Sequence, residues 1–277
     1  MRTQVCLWAS LLAAALPVVA QDAPGDHVNV PLSDPSRPAI VHASLLNGSI
    51  TVTGYSGKEV IVEARARGHE SKRESRTDHK ADGLRRLDLD SGTGLSVEEE
   101  DNTVRVGVRN MNRTVDLTIQ APFNTSLNLR TLNDGNIHVD RVSGEIDADD
   151  LNGAVKLTNI SGAVVAHSLN EDVTVTFDKV TPGKSMSFST LNGDVDVTLP
   201  PEVKARVKMK SDNGEIYSDF DIRPEANPAS PKVAETHAKD GRFRVQFDKT
   251  TYGSINGGGP EMQFTTFNGK IYLRKKK

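Results

Sequence analysis

From Val142 the chain reads VSGEIDADD, LNGAVKLTN, ISGAVVAHS, LNEDVTVTF, four consecutive units of nine residues. Such a repeat restricts the fold strongly, because one unit cannot bury its apolar face alone and must stack on its neighbours. Position five is Ile146, Val155, Val164 and Val173; position seven is Ala148, Leu157, Ala166 and Val175. Alternate residues lie on one face of a strand, so this spacing predicts short strands with one face buried. A helix would need apolar residues three and four apart. Position one is aliphatic throughout (Val142, Leu151, Ile160, Leu169), and position three is Gly or an acidic residue (Gly144, Gly153, Gly162, Glu171).

A second period lies over the first. Asn-Gly or its variant follows Leu151 and Leu169, whereas Ser-Gly follows Val142 and Ile160, so the full repeat is eighteen residues with two unlike halves. The expected fold is all-β: a single-stranded parallel β-solenoid, β-helix-like, in which each nine-residue half supplies one strand and one corner around a thin aliphatic core. The corner residues are expected to take positive φ, which Gly adopts freely and Asn tolerates. Stacked Asn side chains would also hydrogen-bond along the coil. Asn-Gly is equally a hairpin signal, so an antiparallel sandwich is the competing architecture. Imperfect copies extend the series in both directions. The expected structural corner residues are Asn47, Gly48, Asn133, Gly135, Gly144, Asn152, Gly153, Gly162, Asn170, Asn192, Gly193, Asn213, Gly214, Asn268 and Gly269. A hydroxyl often precedes the corner, as at Thr131, Ser168, Thr190 and Thr266.

Residues 1–20 read as a secretory signal peptide, with Arg2 at the start and an apolar stretch ending in Val18-Val19-Ala20. Cleavage after Ala20 leaves 257 of the 277 residues, removes the only Cys (Cys6) and moves the net charge from -3 to -4. Disulfides and thiol chemistry are then excluded from the mature chain. The nearly balanced charge argues against a nucleic-acid partner, and no later segment is long and apolar enough for a transmembrane span. The expected product is exported to the periplasm, cell surface or extracellular space.

The remaining chain divides into a proline-rich extended lead-in (21–38) and one β-solenoid domain (39–277). Within that domain, 39–120 supply an N-terminal cap and strands, and 121–277 the regular rungs. Strands are expected at Glu59–Ala66, Gly94–Glu99, Thr103–Val108 and Thr114–Gln120. Residues 67–84 read as a solvated loop or a short helix, 178–184 as a bulge, and 223–241 as a second excursion.

The order of elements resembles a known family. Val115-Asp116-Leu117-Thr118-Ile119 leads to Ala121-Pro122, followed by serial Asn-Gly and Ser-Gly rungs, then Val197-Thr198-Leu199-Pro200, Ile255-Asn256-Gly257-Gly258-Gly259 and Thr266-Phe267-Asn268-Gly269-Lys270-Ile271. This is similar to the bacterial β-strand-repeat proteins called "putative adhesins", the DUF4097 group, over roughly residues 40–273. The resemblance implies a β-solenoid in an exported protein and supplies no catalytic residues. Glu171, in place of a corner Gly, departs from the pattern.

Catalytic chemistry is hard to assemble from these residues. Asp147, Asp149, Asp150, Asp194 and Asp196 are the carboxylates that calcium binding or glycosidic cleavage would recruit. The nine-residue columns align Asp147 with Lys156, Val165 and Thr174, so carboxylates do not stack. Gly257-Gly258-Gly259 runs into Pro260 and lacks the Lys-Ser/Thr of a phosphate loop. The seven His residues (27, 42, 69, 79, 138, 167, 237) show no metal spacing. Arg274-Lys275-Lys276-Lys277 reads as a frayed, hydrated terminus. No catalytic, cofactor-binding or metal residue is assigned. The expectation is a non-enzymatic envelope or extracellular adhesion or scaffold module whose partner is an envelope polymer or protein. A carbohydrate-active β-helix enzyme and an envelope sensory or regulatory partner are the alternatives.

Overall fold

The computed structural model describes residues 25–67, 92–109, 113–225, 236–237, 243–244 and 250–277, and every regular element among them is a β-strand. The first six are β1 (Asp26–Pro31), β2 (Ala39–Asn47), β3 (Ile50–Tyr55), β4 (Glu59–Ala66), β5 (Leu95–Glu100) and β6 (Thr103–Val108). Next come β7 (Val115–Pro122), β8 (Thr125–Asn133), β9 (Ile137–Asp140), β10 (Ser143–Asp150), β11 (Val155–Ser168) and β12 (Val173–Val180). They are followed by β13 (Met186–Ser189), β14 (Val195–Leu199), β15 (Ala205–Ser211), β16 (Ile216–Ser218) and β17 (Arg223–Pro224). The last are β18 (Thr236–His237), β19 (Phe243–Arg244), β20 (Thr251–Ile255), β21 (Glu261–Thr266) and β22 (Ile271–Lys275).

The pairings resolve into two ladders. One runs β6-β2-β8-β10-β11-β13-β21-β15, all parallel. The other runs β7-β3-β9-β11-β12-β14-β22-β16, again all parallel. β11 belongs to both, its first half in the second ladder and its second half in the first, bent at Asn159 (φ 54). The corners at Asn47, Asn133, Asn152, Asn170, Asn192, Asn213 and Asn268 carry the chain from the first ladder to the second, so β8/β9, β10 with the first half of β11, the second half of β11 with β12, and β13/β14 are successive rungs. The parallel pairing of the nonapeptides is what a coil requires, and the antiparallel sandwich does not describe them.

Two features depart from a single parallel coil. Both ends are closed by antiparallel strands. β5 pairs with β6, while β1 pairs with β4 and β4 with β7; at the far end β20 joins β15 and β17 joins β20. Hairpins permit this, as where Asp101 (φ 49) and Asn102 (φ 63) take the left-handed pair of a tight two-residue turn between β5 and β6. Within the proline-rich lead-in, β1 is thus a strand, and its Pro31 sits at the end of an edge strand where a missing N–H costs little. Second, rungs do not stack in chain order. β2/β3 lie between β6/β7 and β8/β9, and the C-terminal β21/β22 lie between β13/β14 and β15/β16.

Stacking in register turns the alternation of each strand into columns of buried side chains. Ile50, Ile137, Val155, Val173, Val195 and Ile271 form one such column, each with no exposed surface. Opposite, Ala148 and Ala166 leave room that the larger Leu157 and Val175 occupy, while Phe177 meets Phe188 edge-on at 6.2 Å. Burying a side chain of this size stabilises by about 1.5–3 kcal/mol, so a slender core suffices when it is continuous.

The aliphatic residues at position one separate into two groups. Val142 and Ile160 are buried, whereas Leu151 is 41% exposed and Leu169 half-buried. The signal-peptide region and most of 67–84 and 223–241 lie outside the described residues. The C-terminal run is no frayed end: β22 continues to Lys275, Arg274 pairs with Asp196 at 2.8 Å and Lys276 with Asp178 at 2.5 Å.

Candidate functional site

One edge of the stack concentrates the recurring polar chemistry. At each turn from the first ladder to the second an Asn side chain donates to the Asn below it. Asn133 donates from Nδ2 to Asn47 Oδ1 at 3.3 Å, Asn152 to Asn133 at 2.9 Å, Asn170 to Asn152 at 2.7 Å and Asn192 to Asn170 at 2.9 Å. Asn268 then donates to Asn192 at 2.8 Å and Asn213 to Asn268 at 2.9 Å. The seven amides form an unbroken ladder that follows spatial order, not chain order. Each amide has both a donor and an acceptor, so identical residues can repeat without a mismatch.

Inside this ladder runs a buried hydroxyl column. Thr131 Oγ1 donates to the Gly48 carbonyl, Ser168 Oγ to Gly153, Thr190 Oγ1 to Glu171, Thr266 Oγ1 to Gly193 and Ser211 Oγ to Gly269, all at 2.8–2.9 Å. A third column lies just past the corner. Asp116, Ser49, Asn136, Asp172 and Asp194 each accept from a backbone N–H of the adjoining rung, at 2.7–3.1 Å. Arg67 clamps the start of this column. It reaches both Asp116 carboxylate oxygens, Ser49 Oγ at 2.9 Å and the Asp134 carbonyl at 2.6 Å.

The glycines at these corners serve a different purpose from the expected one. Of the corner glycines Gly48, Gly135, Gly153, Gly193, Gly214 and Gly269, only Gly48 has positive φ, at 125°. A Cβ on Gly153 would lie 1.7 Å from the Gly135 carbonyl oxygen, and one on Gly269 1.8 Å from that of Gly193. Close approach of successive backbones is therefore the requirement. Gly144 and Gly162 are not corner residues at all. They lie within β10 and β11, where a Cβ on Gly162 would meet the Gly144 carbonyl oxygen at 1.9 Å. The opposite corners turn instead at Arg141 (φ 57) and Asn159 (φ 54). Glu171 is accommodated without positive φ, its N–H donating to Ser168 Oγ at 3.1 Å.

The carboxylates named from the sequence do not converge. Asp194 belongs to the third column, Asp196 pairs with Arg274, and Asp147 accepts from Asn128 Nδ2 at 3.1 Å. Asp149 is half-exposed and lies in register between Arg130 and His167. Asp150 has no exposed surface. His167 meets Ser189 Oγ at 2.9 Å. No group of three His, Cys, Asp or Glu among the described residues could hold a metal ion. Gly257 (φ 88) and Gly258 (φ 84) form a turn, and Gly258 lines a groove of about 580 Å³ with Pro182, Pro200, Pro260, Lys179 and Lys204.

What sequence reasoning missed is on the outside of the amide ladder. Leu46, Leu132, Leu151, Leu191 and Phe267 occupy the same position in their rungs and are 41–46% exposed, with Leu169 half-buried among them. They form an apolar ridge along the stack. The signal was present in the Leu-Asn-Gly motif, whose Leu precedes the corner and cannot share the face of the buried hydroxyl before it.

Parallel ladders closed by antiparallel ends, joined by amide-stacked corners, define a class of repeat β-protein. The chain belongs to the Toastrack DUF4097 family, whose model matches residues 47–251. Among solved structures, it is similar to a "putative cell adhesion protein" of Clostridium sporogenes with 11% identity and a TM-score of 0.47, covering 91% of this chain and 100% of that one. It is also similar to a "putative adhesin" of Bacteroides fragilis with 9% identity and a TM-score of 0.37, covering 91% of this chain and 97% of that one. No functionally curated protein matches it. Among the described residues no helix is long and apolar enough to cross a membrane.

Proposed function

We propose that this chain is an exported, non-enzymatic adhesion or scaffold module, built as a solenoid-like stack that binds an envelope polymer or protein by surface area. The observation that carries this reading is the ridge of Leu46, Leu132, Leu151, Leu191 and Phe267, exposed in five of the seven rungs of the amide ladder. Apolar side chains aligned along one exposed edge are characteristic of interaction surfaces. The core does not need them, since the buried columns are complete without them. The separate structural employment of Asp147, Asp194 and Asp196 supports binding over catalysis.

Retention of the labelled protein on isolated cell envelopes tests the reading. The native protein is expected to be retained, and a variant carrying Leu132→Ser, Leu151→Ser and Leu191→Ser to be lost while keeping its far-ultraviolet spectrum. Equal retention of the two would overturn the ridge as the binding surface. Turnover of a glycan library, abolished by Asp147→Asn or Asp149→Asn, would instead favour the carbohydrate-active alternative.

A further inference from the structure

The buried hydroxyl column has one acidic member, and Leu45 holds the same position in the β2 rung. Where Thr131, Ser168, Thr190, Thr266 and Ser211 stand in their rungs, two residues before the ladder Asn, the β10 rung carries Asp150. A hydroxyl here has two duties. It accepts from the N–H three residues on, as Ser168 does from Glu171 at 3.1 Å and Thr190 from Gly193 at 3.2 Å, and it donates to a carbonyl of the rung below. Asp150 Oδ1 performs the first, accepting from Gly153 N at 2.7 Å and Asn152 N at 3.2 Å. Its Oδ2 is buried and has no hydrogen-bond partner. The carbonyl due to receive the second bond is that of Gly135, which lies against Gly153 as the Gly193 carbonyl lies against Gly269. It is the one corner carbonyl of this series that no hydroxyl reaches. An ionised carboxylate would leave this buried oxygen an acceptor without a donor.

We propose that Asp150 carries a proton on Oδ2 in the folded protein and donates it to the Gly135 carbonyl, completing the column and making the stack firmer in mildly acidic surroundings. Burial, helped by the charge of Asp149, drives the group the same way, lifting its pKa from the ordinary 3.8 to about 6 against the opposing pull of the Gly153, Asn152 and Ile137 N–H groups. The charged groups around it are few. Asp149 adjoins it on β10, Arg130 of β8 and His167 of β11 flank Asp149 in register, and Asp134 and Glu171 occupy the corners of the rungs below and above. Because the folded pKa exceeds the unfolded one, the stabilisation is complete below about pH 3.8 and is lost as pH rises through about 6. Across the two limits it amounts to roughly a hundredfold in the folding equilibrium.

Two measurements test this. The carboxyl carbon resonance of Asp150, identified by sequential assignment of the native protein, is expected to titrate with a midpoint near pH 6; a midpoint at or below about pH 4, the ordinary value, overturns the proposal. Urea unfolding then compares the native protein with Asp150→Asn, whose amide can donate to Gly135 without titrating. Between about pH 7 and pH 5 the native folding equilibrium is expected to gain roughly tenfold over that of the variant. Parallel pH profiles would refute the switch.

Discussion

Phe264 stacks on Phe188 with ring centroids 5.2 Å apart and planes inclined by 22°, although 76 residues separate them. The contact places the C-terminal rung inside the stack, because β21 is bounded by β13 on one side and β15 on the other. Phe264→Ala removes a fully buried ring from between two rungs and is expected to cost about 3–5 kcal/mol. Urea denaturation of the variant measures it, and a loss below about 1 kcal/mol would mean that β21 does not hold this position.

The amide ladder has a chemical signature. Asn152 donates to Asn133 Oδ1 and to the Leu132 carbonyl at 2.8 Å, and accepts from Asn170. Asn152→Ala is expected to destabilise by about 1–2 kcal/mol. Asn170→Asp replaces a donor by an acceptor facing Asn152 Oδ1, so its penalty at neutral pH should shrink once the new carboxyl is protonated. Thermal melting at both pH values reads the difference; a pH-independent penalty would argue that the amides are not hydrogen-bonded in series.

For Gly153 the two possible reasons for a glycine make opposite predictions. If positive φ were required, Gly153→Asn would be nearly as good as the native residue. With a Cβ 1.7 Å from the Gly135 carbonyl oxygen, Asn and Ala should both lose more than about 2 kcal/mol. Chemical unfolding of the pair of variants separates the explanations.

Asp140 predicts the acid limb of stability. Burial raises its pKa, but hydrogen bonds from Asn159 Nδ2 and Thr158 Oγ1, with the charge of Arg141, outweigh that and hold it below the ordinary value. Its contribution is therefore present above the unfolded pKa and lost as pH falls through the folded one. Asp140→Asn should be less stable than the native protein near neutrality, with the gap closing in strong acid. A gap that stayed constant from neutral to acid conditions would contradict the assignment. The direction is opposite to that of Asp150, which lies ten residues away.

Much of the fold was legible because the repeat is written in residue types that have few other uses. The alternation at Ile146 and Ala148, or Val155 and Leu157, declares a strand with one buried face, and β4 and β6 fall on their expected bounds. Spatial order was not legible. Asp212-Asn213-Gly214 and Phe267-Asn268-Gly269 each announce a corner, but identical local chemistry carries no address, and the choice of neighbour rests on long-range packing such as Phe264 on Phe188. Gly144 and Gly153 look alike in a nine-residue alignment, though one is a strand residue and the other a corner residue, since both answer to backbone proximity. Of the acidic cluster, Asp150 was distinguishable. Its alignment with Thr131 and Ser168 was already in the sequence, but a carboxylate in a hydroxyl's place reads as solvated until its burial is known.

The interleaved C-terminal rung has a mechanical consequence. Tension on Lys277 acts along β22, which is bonded to β14 on one side and β16 on the other, so its backbone bonds to both neighbours resist together in shear. A strand at the rim of the sheet could be peeled away one bond at a time. For a module tethered at that terminus, load would enter one rung inside the end of the stack, where the rings of Phe188 and Phe264 interlock.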